Sequence, residues 1–369
     1  MNVLMASTSY PLHTEDWRGR FIYDMASALG KQPSQQIRLW APAGPLPPGV
    51  TSALLPGDAE WLANMLAQGG IAHLLRTRKL AGVTYGMGLL RRLRRALRKT
   101  PTDVAHINWL QNALALWGTT TPAVITVLGS DFRLLALPGM RQALRHVLKQ
   151  RRAVLAPNAE WMAPELNHVF GDVADIRPVP FGVEASWFDV RRIPQGSAKK
   201  WLVVSRLTNG KLGKLFEWGE GLFCGENELH LFGPMQEQIS LPSWVHYHGS
   251  THPAALRDQW FPAASGLITL SCHDEGRPQV MLEAMAAGLP IIASDLPAHR
   301  DLIRHGETGW LTASQGAFSD AINLLADPIQ NVQMGEAGRK FVRKQIGTWD
   351  DCANRYLSLY TEVLGKHHA

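Results

Sequence analysis

The chain has 369 residues, more than one hydrophobic core ordinarily serves, so two to three domains are expected. Apolar residues make up 46% and charged residues 18%, which excludes wholesale disorder, and no run of about 18 apolar residues offers a membrane span. The net charge of +6 is uneven: residues 1–185 hold 20 Lys and Arg against 12 Asp and Glu, whereas 186–369 hold 17 against 19. A basic first half suits an acidic partner such as a membrane surface, or it is simply a solvated face. The three cysteines, Cys224, Cys272 and Cys352, form neither a disulfide framework nor a zinc pattern. The opening MNVLMASTSYPL lacks the basic start and cleavage site of a signal peptide, so a reducing, cytoplasmic setting is expected.

In chain order, a buried-strand run over Asn2–Ser7 is followed by a polar loop through Arg18, Gly19 and Arg20, then a helical stretch over Phe21–Leu29. Short apolar runs at Gln36–Trp40, Asp103–Ile107, Ala123–Val127, Ala153–Ala156 and Ile176–Val179 read as further strands, mostly separated by helical patterns. Residues 191–197 form a polar Pro/Gly/Ser linker, and the alternation then restarts. Strands are expected at Trp201–Ser205, Glu228–Phe232, Val245–His248, Gly266–Ser271 and Pro290–Ala293, with helices at Leu212–Phe223, Pro253–Ala263 and Pro278–Ala287. Such alternation predicts two doubly wound α/β domains, 1–185 and 186–348, with ligands bound outside the carboxyl ends of the strands.

The densest chemistry lies in Ser271–Pro290. A strand ends there, and Pro278 suits a first helical position because its missing N–H was unpaired anyway. Backbone donors around Gly276–Gln279 then make a helix N-terminal anion site. Glu275 and Glu283 are carboxylate acceptors, suited to the vicinal hydroxyls of a sugar or ribose; the plainer alternative is two solvated helix acids. Arg206 and Lys211 follow a strand, where fixed cations would stabilise a departing diphosphate without a divalent metal. No Asp-x-Asp ligand pair is seen, and no metal or other cofactor is expected.

The string EGRPQVMLEAMAAGLPIIASD resembles the E-x7-E signature of retaining family-four glycosyltransferases, the group that includes sucrose and glycogen-type synthases. Val204–Lys211 resembles that family's G-R-L…K segment, with Ser205 where glycine is usual. Leu231–Pro234 resembles its G-x-G-P turn, His248-Gly249 its F-x-G turn, and Glu307–Leu311 its T-G-L/F-L close. The resemblance implies two facing Rossmann-like domains (the GT-B architecture) with an interdomain cleft, and a last helix, here within Trp349–Leu364, that crosses back to the first domain. Residues 349–369 would then join 1–185 as an acceptor domain, and 186–348 would hold the donor. Glu275 would bond the donor sugar's hydroxyls, Glu283 the ribose, and Arg206 and Lys211 the diphosphate. Gly233, His248, Gly276, Arg277 and Pro278 would line the same donor site, although Pro278 donates no N–H.

In the first half, Gly19 offers backbone donors to the diphosphate from a helix start, where the family often has a glycine pair. Leu128-Gly129-Ser130-Asp131 resembles the family's H-G-(S/T)-D, with Leu128 in place of the histidine. Ser130, Asp131 and, at the end of the preceding strand, His106 are the acceptor-side candidates, with Asp131 placed to orient an acceptor hydroxyl. Leu89–Lys99 is a basic amphipathic stretch that suits anionic lipid, or else packs its leucines inward; without an aromatic platform it does not suggest nucleic acid. The whole predicts a hexosyltransferase that moves sugar from a UDP- or GDP-sugar to a glycan or lipid-linked acceptor. Bacterial cell-surface polysaccharide synthesis at the inner face of the membrane is the expected setting. A nucleotide-sugar epimerase and a non-catalytic nucleotide- or glycan-binding protein are the alternatives.

Overall fold

The computed structural model describes residues 1–365 except 130, 194–197 and 273–274, leaving aside the side chains of Ala72 and Arg133. Ser130 and much of the expected linker therefore lie outside the described residues. Two compact units emerge, one made of 1–181 and 349–369, the other of 182–348.

Unit 1 begins β1 (Asn2–Ala6), α1 (Arg20–Gly30), β2 (Gln36–Trp40), β3 (Val50–Ser52), α2 (Asp58–Ala67), α3 (Gly70–Thr77) and α4 (Lys79–Lys99). It continues with β4 (Val104–Asn108), β5 (Ala123–Val127), α5 (Asp131–Leu135), α6 (Met140–Leu148), β6 (Ala153–Pro157), α7 (Ala163–Phe170) and β7 (Asp175–Ile176). Among the described residues its seven strands form one parallel sheet, ordered β3-β2-β1-β4-β5-β6-β7. Central strands such as β4, β5 and β6 are buried along their whole length, as a sheet covered on both faces requires.

Unit 2 contains β8 (Lys199–Val204), α8 (Asn209–Leu212), α9 (Leu215–Gly219), β9 (Asn227–Phe232), β10 (Val245–Tyr247), α10 (Pro253–Ala255) and β11 (Ala264–Thr269). Then come α11 (Gln279–Ala286), β12 (Ile291–Ser294), α12 (Pro297–Arg300), β13 (Trp310–Thr312), α13 (Gln315–Leu324) and α14 (Pro328–Gln345). Its parallel sheet runs β10-β9-β8-β11-β12-β13. The last helix, α15 (Trp349–Val363), belongs to unit 1, where it packs against α1 and strands β5 and β6.

Two expected helices are broken. Leu212–Phe223 divides into α8 and α9 because Gly213 turns to φ 54°, and a Cβ there would lie 1.9 Å from the Leu270 carbonyl oxygen. Pro253–Ala263 passes from α10 through a π-turn at Leu256–Trp260 into a 3-10 turn, since Pro262 has no N–H for a continuous α-helical ladder. The short strands β3 and β13, at sheet edges, carry too few residues to show a period in the sequence.

Candidate functional site

In a doubly wound sheet, loops leaving adjacent strands in opposite directions open a crevice where strand order reverses. In unit 2 that point lies between β8 and β11, whose following loops carry Arg206 and Lys211 on one side and Glu275 on the other. Arg206 is exposed just past β8. Lys211 sits on α8, which Thr208 caps by accepting the Lys211 N–H at 3.2 Å. The Cys272 N–H donates to the Gly210 carbonyl at 2.8 Å, and the close approach of Gly213 to Leu270 seats the same turn. The outcome is an ion pair between the Lys211 ammonium and the Glu275 carboxylate, with side chains only 14% and 17% exposed. Ser271 Oγ also donates to Glu275, at 3.4 Å.

Pro278 departs from its expected position. It is the N-cap, with ψ at 118°, and the helix begins at Gln279. The first N–H groups of α11, at Gln279 and Val280, donate to no described backbone carbonyl. Gly276 lies half-buried at this turn, and Glu283 is half-buried on α11 itself. Arg277 pairs with Asp301 just past α12, both side chains being almost wholly enclosed, yet its Nε and Nη1 have no partner.

A residue that sequence reasoning passed over lies beside them. His299 is 0% exposed, donates from Nδ1 to the Ser294 carbonyl at 2.7 Å, and leaves Nε2 without a partner. Burial holds its pKa below the ordinary histidine value, against the pull of the Ser294 bond and nearby Glu275. Nothing in the string PAHRD marks that histidine as central; only the turn after β12 brings it in. Buried polar atoms without partners are uncommon in folded proteins, and His299 Nε2 is one that lies within electrostatic reach of both Lys211 and Glu275.

On the other flank, Gly233 donates its N–H to the Gly249 carbonyl at 2.7 Å, and its own carbonyl accepts from Tyr247 Oη at 2.9 Å. The His248 ring stacks on Phe232 with centroids 4.6 Å apart and meets His230 Nδ1 at 3.0 Å. Burial, and then neighbouring His246, hold the His248 pKa down.

Unit 1 reverses strand order between β1 and β4. Gly19 caps α1 at φ 65°, and a Cβ there would lie 2.6 Å from the Ser9–Tyr10 backbone, so the helix start needs glycine. Asp16, 5% exposed, holds the turn by accepting from the Arg18 N–H and Nε, each at 3.0 Å. Trp109, directly after β4, has φ 66°, the single positive φ outside glycine among the described residues. It meets Phe21 of α1 edge-on at 6.0 Å. Side-chain bulk gives no hint of such a backbone, so the sequence could not single it out.

The acceptor-side expectations need correction. His106 is 0% exposed, with Nδ1 2.6 Å from Tyr360 Oη and Nε2 2.8 Å from Thr126 Oγ1. Thr126 Oγ1 lies 2.7 Å from Tyr356 Oη, so this buried network fastens α15 to β4 and β5. Both ring nitrogens are spent, and burial lowers the His106 pKa to about 3. Asp131 is 1% exposed, and its Oδ2 accepts the N–H groups of Leu128 at 2.7 Å and Leu110 at 3.3 Å. It holds two loops together from beneath and is too enclosed to meet an acceptor hydroxyl directly. Burial raises its pKa to about 7, while Oδ1 has no partner.

For Leu89–Lys99, the structure shows the inward packing that was one of the two readings. Leu89, Leu93 and Leu97 enter the unit 1 core, and Arg92 and Arg95 bond the fully buried Asp58 at 3.0 and 2.9 Å.

Residues 237–341 match the family model described as glycosyl transferases group 1. Among curated relatives, N-acetyl-alpha-D-glucosaminyl L-malate synthase of Bacillus anthracis is 34% identical over 105 residues, 28% of this chain and 27% of that protein. The chain thus aligns with about a quarter of the length of the curated relatives it matches. Sucrose-phosphate synthase from Thermosynechococcus elongatus superposes with a TM-score of 0.74 at 16% identity, covering 100% of both chains. Anabaena HepE, solved in complex with UDP and glucose, gives 0.66 at 12% identity, covering 98% of this chain and 100% of that one. These likenesses establish the fold of two parallel-sheet, Rossmann-like domains found in GT-B glycosyltransferases. The matched segment carries Glu275 and Arg277 in the loop after β11 and Glu283 within α11, and over that segment the chain is similar to the group 1 glycosyl transferases.

Proposed function

We propose that this chain is a retaining, metal-independent glycosyltransferase that uses a UDP- or GDP-sugar, with the donor held by unit 2. The observation that carries the reading is the Lys211–Glu275 pair at the strand-order reversal, bordered by unspent donors on Arg277 and the unspent His299 acceptor. The two charges satisfy each other. A donor would exchange them, its diphosphate taking Lys211 and Arg206 while sugar hydroxyls take Glu275. Glu283 binds the ribose in this reading.

In the transfer step, the acceptor oxygen bonds to the anomeric carbon as the bond from that carbon to the diphosphate oxygen breaks. The proton of the acceptor hydroxyl passes to the departing phosphate on the same face. Arg206 and Lys211 stabilise the charge that grows there, in place of a divalent ion. Asp131 acts as a positioning residue, fixing the Leu128 and Leu110 loops. The acceptor is a glycan or lipid-linked sugar, in keeping with surface-polysaccharide synthesis.

Thermal shift against UDP-, GDP- and ADP-sugars tests the reading, because a ligand at 100 times its Kd adds roughly 2.7 kcal/mol of stability. One class should raise the midpoint in the wild type and lose the effect in Lys211→Ala. No shift with any of them would refute it. Donor hydrolysis without acceptor separates a transferase from a binding protein, and epimer formation would indicate the epimerase.

A further inference from the structure

We propose that α3 and α4 form a membrane-docking face that rests on an anionic lipid surface and inserts Leu80, Val83 and Met87. Residues 61–102 contain nine Lys and Arg and no Asp or Glu. Within that stretch Leu80 is 86% exposed, Val83 52% and Met87 49%, although each is large and apolar. At about 100° per residue the three fall in one narrow sector of α4, and Arg91 and Arg98 continue the same line. Arg76, Arg78 and Lys79 stand exposed at the other end of the stripe. An apolar line bracketed by cations is what an interfacial helix presents to lipid: side chains enter the acyl boundary while ammonium and guanidinium groups meet phosphates.

The surface differs from the one the sequence suggested. The leucines of Leu89–Lys99 are spent on the core, and Arg92 and Arg95 on Asp58. The remaining exposed cations and the stripe before them are free for lipid. Charge complementarity selects the occupant, since a soluble protein partner would have to supply acidic groups to both ends of an apolar seam. The proposal adds a location to the reading above, where a lipid-linked acceptor would profit from it, but it does not depend on that reading.

The full chain is sedimented with vesicles of phosphatidylglycerol and phosphatidylethanolamine, and with phosphatidylcholine alone. The wild type should pellet with the anionic vesicles only, and part should remain bound at 0.5 M salt, because inserted apolar groups are not screened. The triple variant Leu80→Ser, Val83→Ser, Met87→Ser should partition at least tenfold more weakly. It should melt like the wild type, its changes being on the outside, and it should keep any donor-induced thermal shift. Equal pelleting of wild type and variant overturns the proposal, as does failure of the wild type to pellet. Sedimentation velocity supplies a further check: a wild-type dimer that the triple variant dissolves would make the stripe an interface between copies instead. Steeply salt-dependent binding to random duplex DNA, without vesicle binding, would make the face a polyanion site. Loss of donor response in the wild type would sink the enzymatic reading and leave this one standing.

Discussion

Two buried ionisable groups in unit 1 oppose each other as pH changes, and removing either should expose the other. His106 titrates near 6.5 in an unfolded chain but at about 3 in the folded one. Between those values the unfolded chain carries a proton that the folded chain lacks, so stability rises with pH at about 1.4 kcal/mol per pH unit. Asp131 moves the other way, from 3.8 unfolded to about 7 folded. There the folded chain carries the extra proton, and stability falls with pH at the same slope. The windows overlap from about pH 4 to 6.5, where the two slopes cancel. Asp131→Asn keeps an acceptor for the Leu128 and Leu110 N–H groups while removing the falling slope. From pH 4.5 to 6 the stability of that variant relative to wild type should therefore climb by about 2 kcal/mol. His106→Gln should drop by a similar amount over the same interval. Hydrogen exchange of β4 and β5 amides, corrected for intrinsic rates, reads the opening of unit 1 without requiring both units to unfold together. If Asp131→Asn tracks the wild type to within about 0.5 kcal/mol at every pH, Asp131 is ionised in the fold and the reasoning fails.

Arg206→Ala and Lys211→Ala should each lower turnover by about 10²–10³, measured as nucleoside diphosphate release; activity within a few-fold of wild type would remove them from the site. Glu283→Ala should weaken nucleoside diphosphate binding by roughly 1.5–3 kcal/mol, and unchanged calorimetric affinity would contradict a ribose contact. Gly213→Ala forces a Cβ against the Leu270 carbonyl, so α8 must move and carry Lys211 from Glu275. Lower donor affinity with unit 1 exchange rates unchanged is the expected result, and wild-type affinity would show that α8 needs no such seat.

Strand β5 was legible to the residue, because a fully buried apolar run reads the same in sequence and in sheet, and β2 was legible from its alternation of buried and more open residues. The places of Arg206 and Lys211 after β8 and of Glu275 after β11 were legible too, since the strands before them were. Position in depth was not. His106 reads as the end of a strand, as a cleft residue would, but it lies at the middle of β4 in the sheet, and α15, 254 residues later for Tyr360, closes over it. Asp131 was read as polar and accessible, whereas two backbone N–H groups draw it inward. Arginines were counted as surface charge in Arg91–Arg98, yet Asp58 claims two of them from a different helix. Such pairings depend on contacts across tens of residues, which local spacing does not encode.

The network joining His106, Thr126, Tyr356 and Tyr360 has a consequence for the order in which a ribosome lets this protein mature. Its two halves are separated by the 167 residues of unit 2, so the sheet of unit 1 emerges long before the helix that closes one face of it. At roughly 5–20 residues per second, the nascent sheet waits on the order of ten seconds or more with the faces of β4 and β5 uncovered. Unit 2, whose residues are contiguous, can finish first although it is made second. A chain stalled before Trp349 would hold a completed second unit and an open first one, the state in which chaperone capture or aggregation of nascent chains should concentrate.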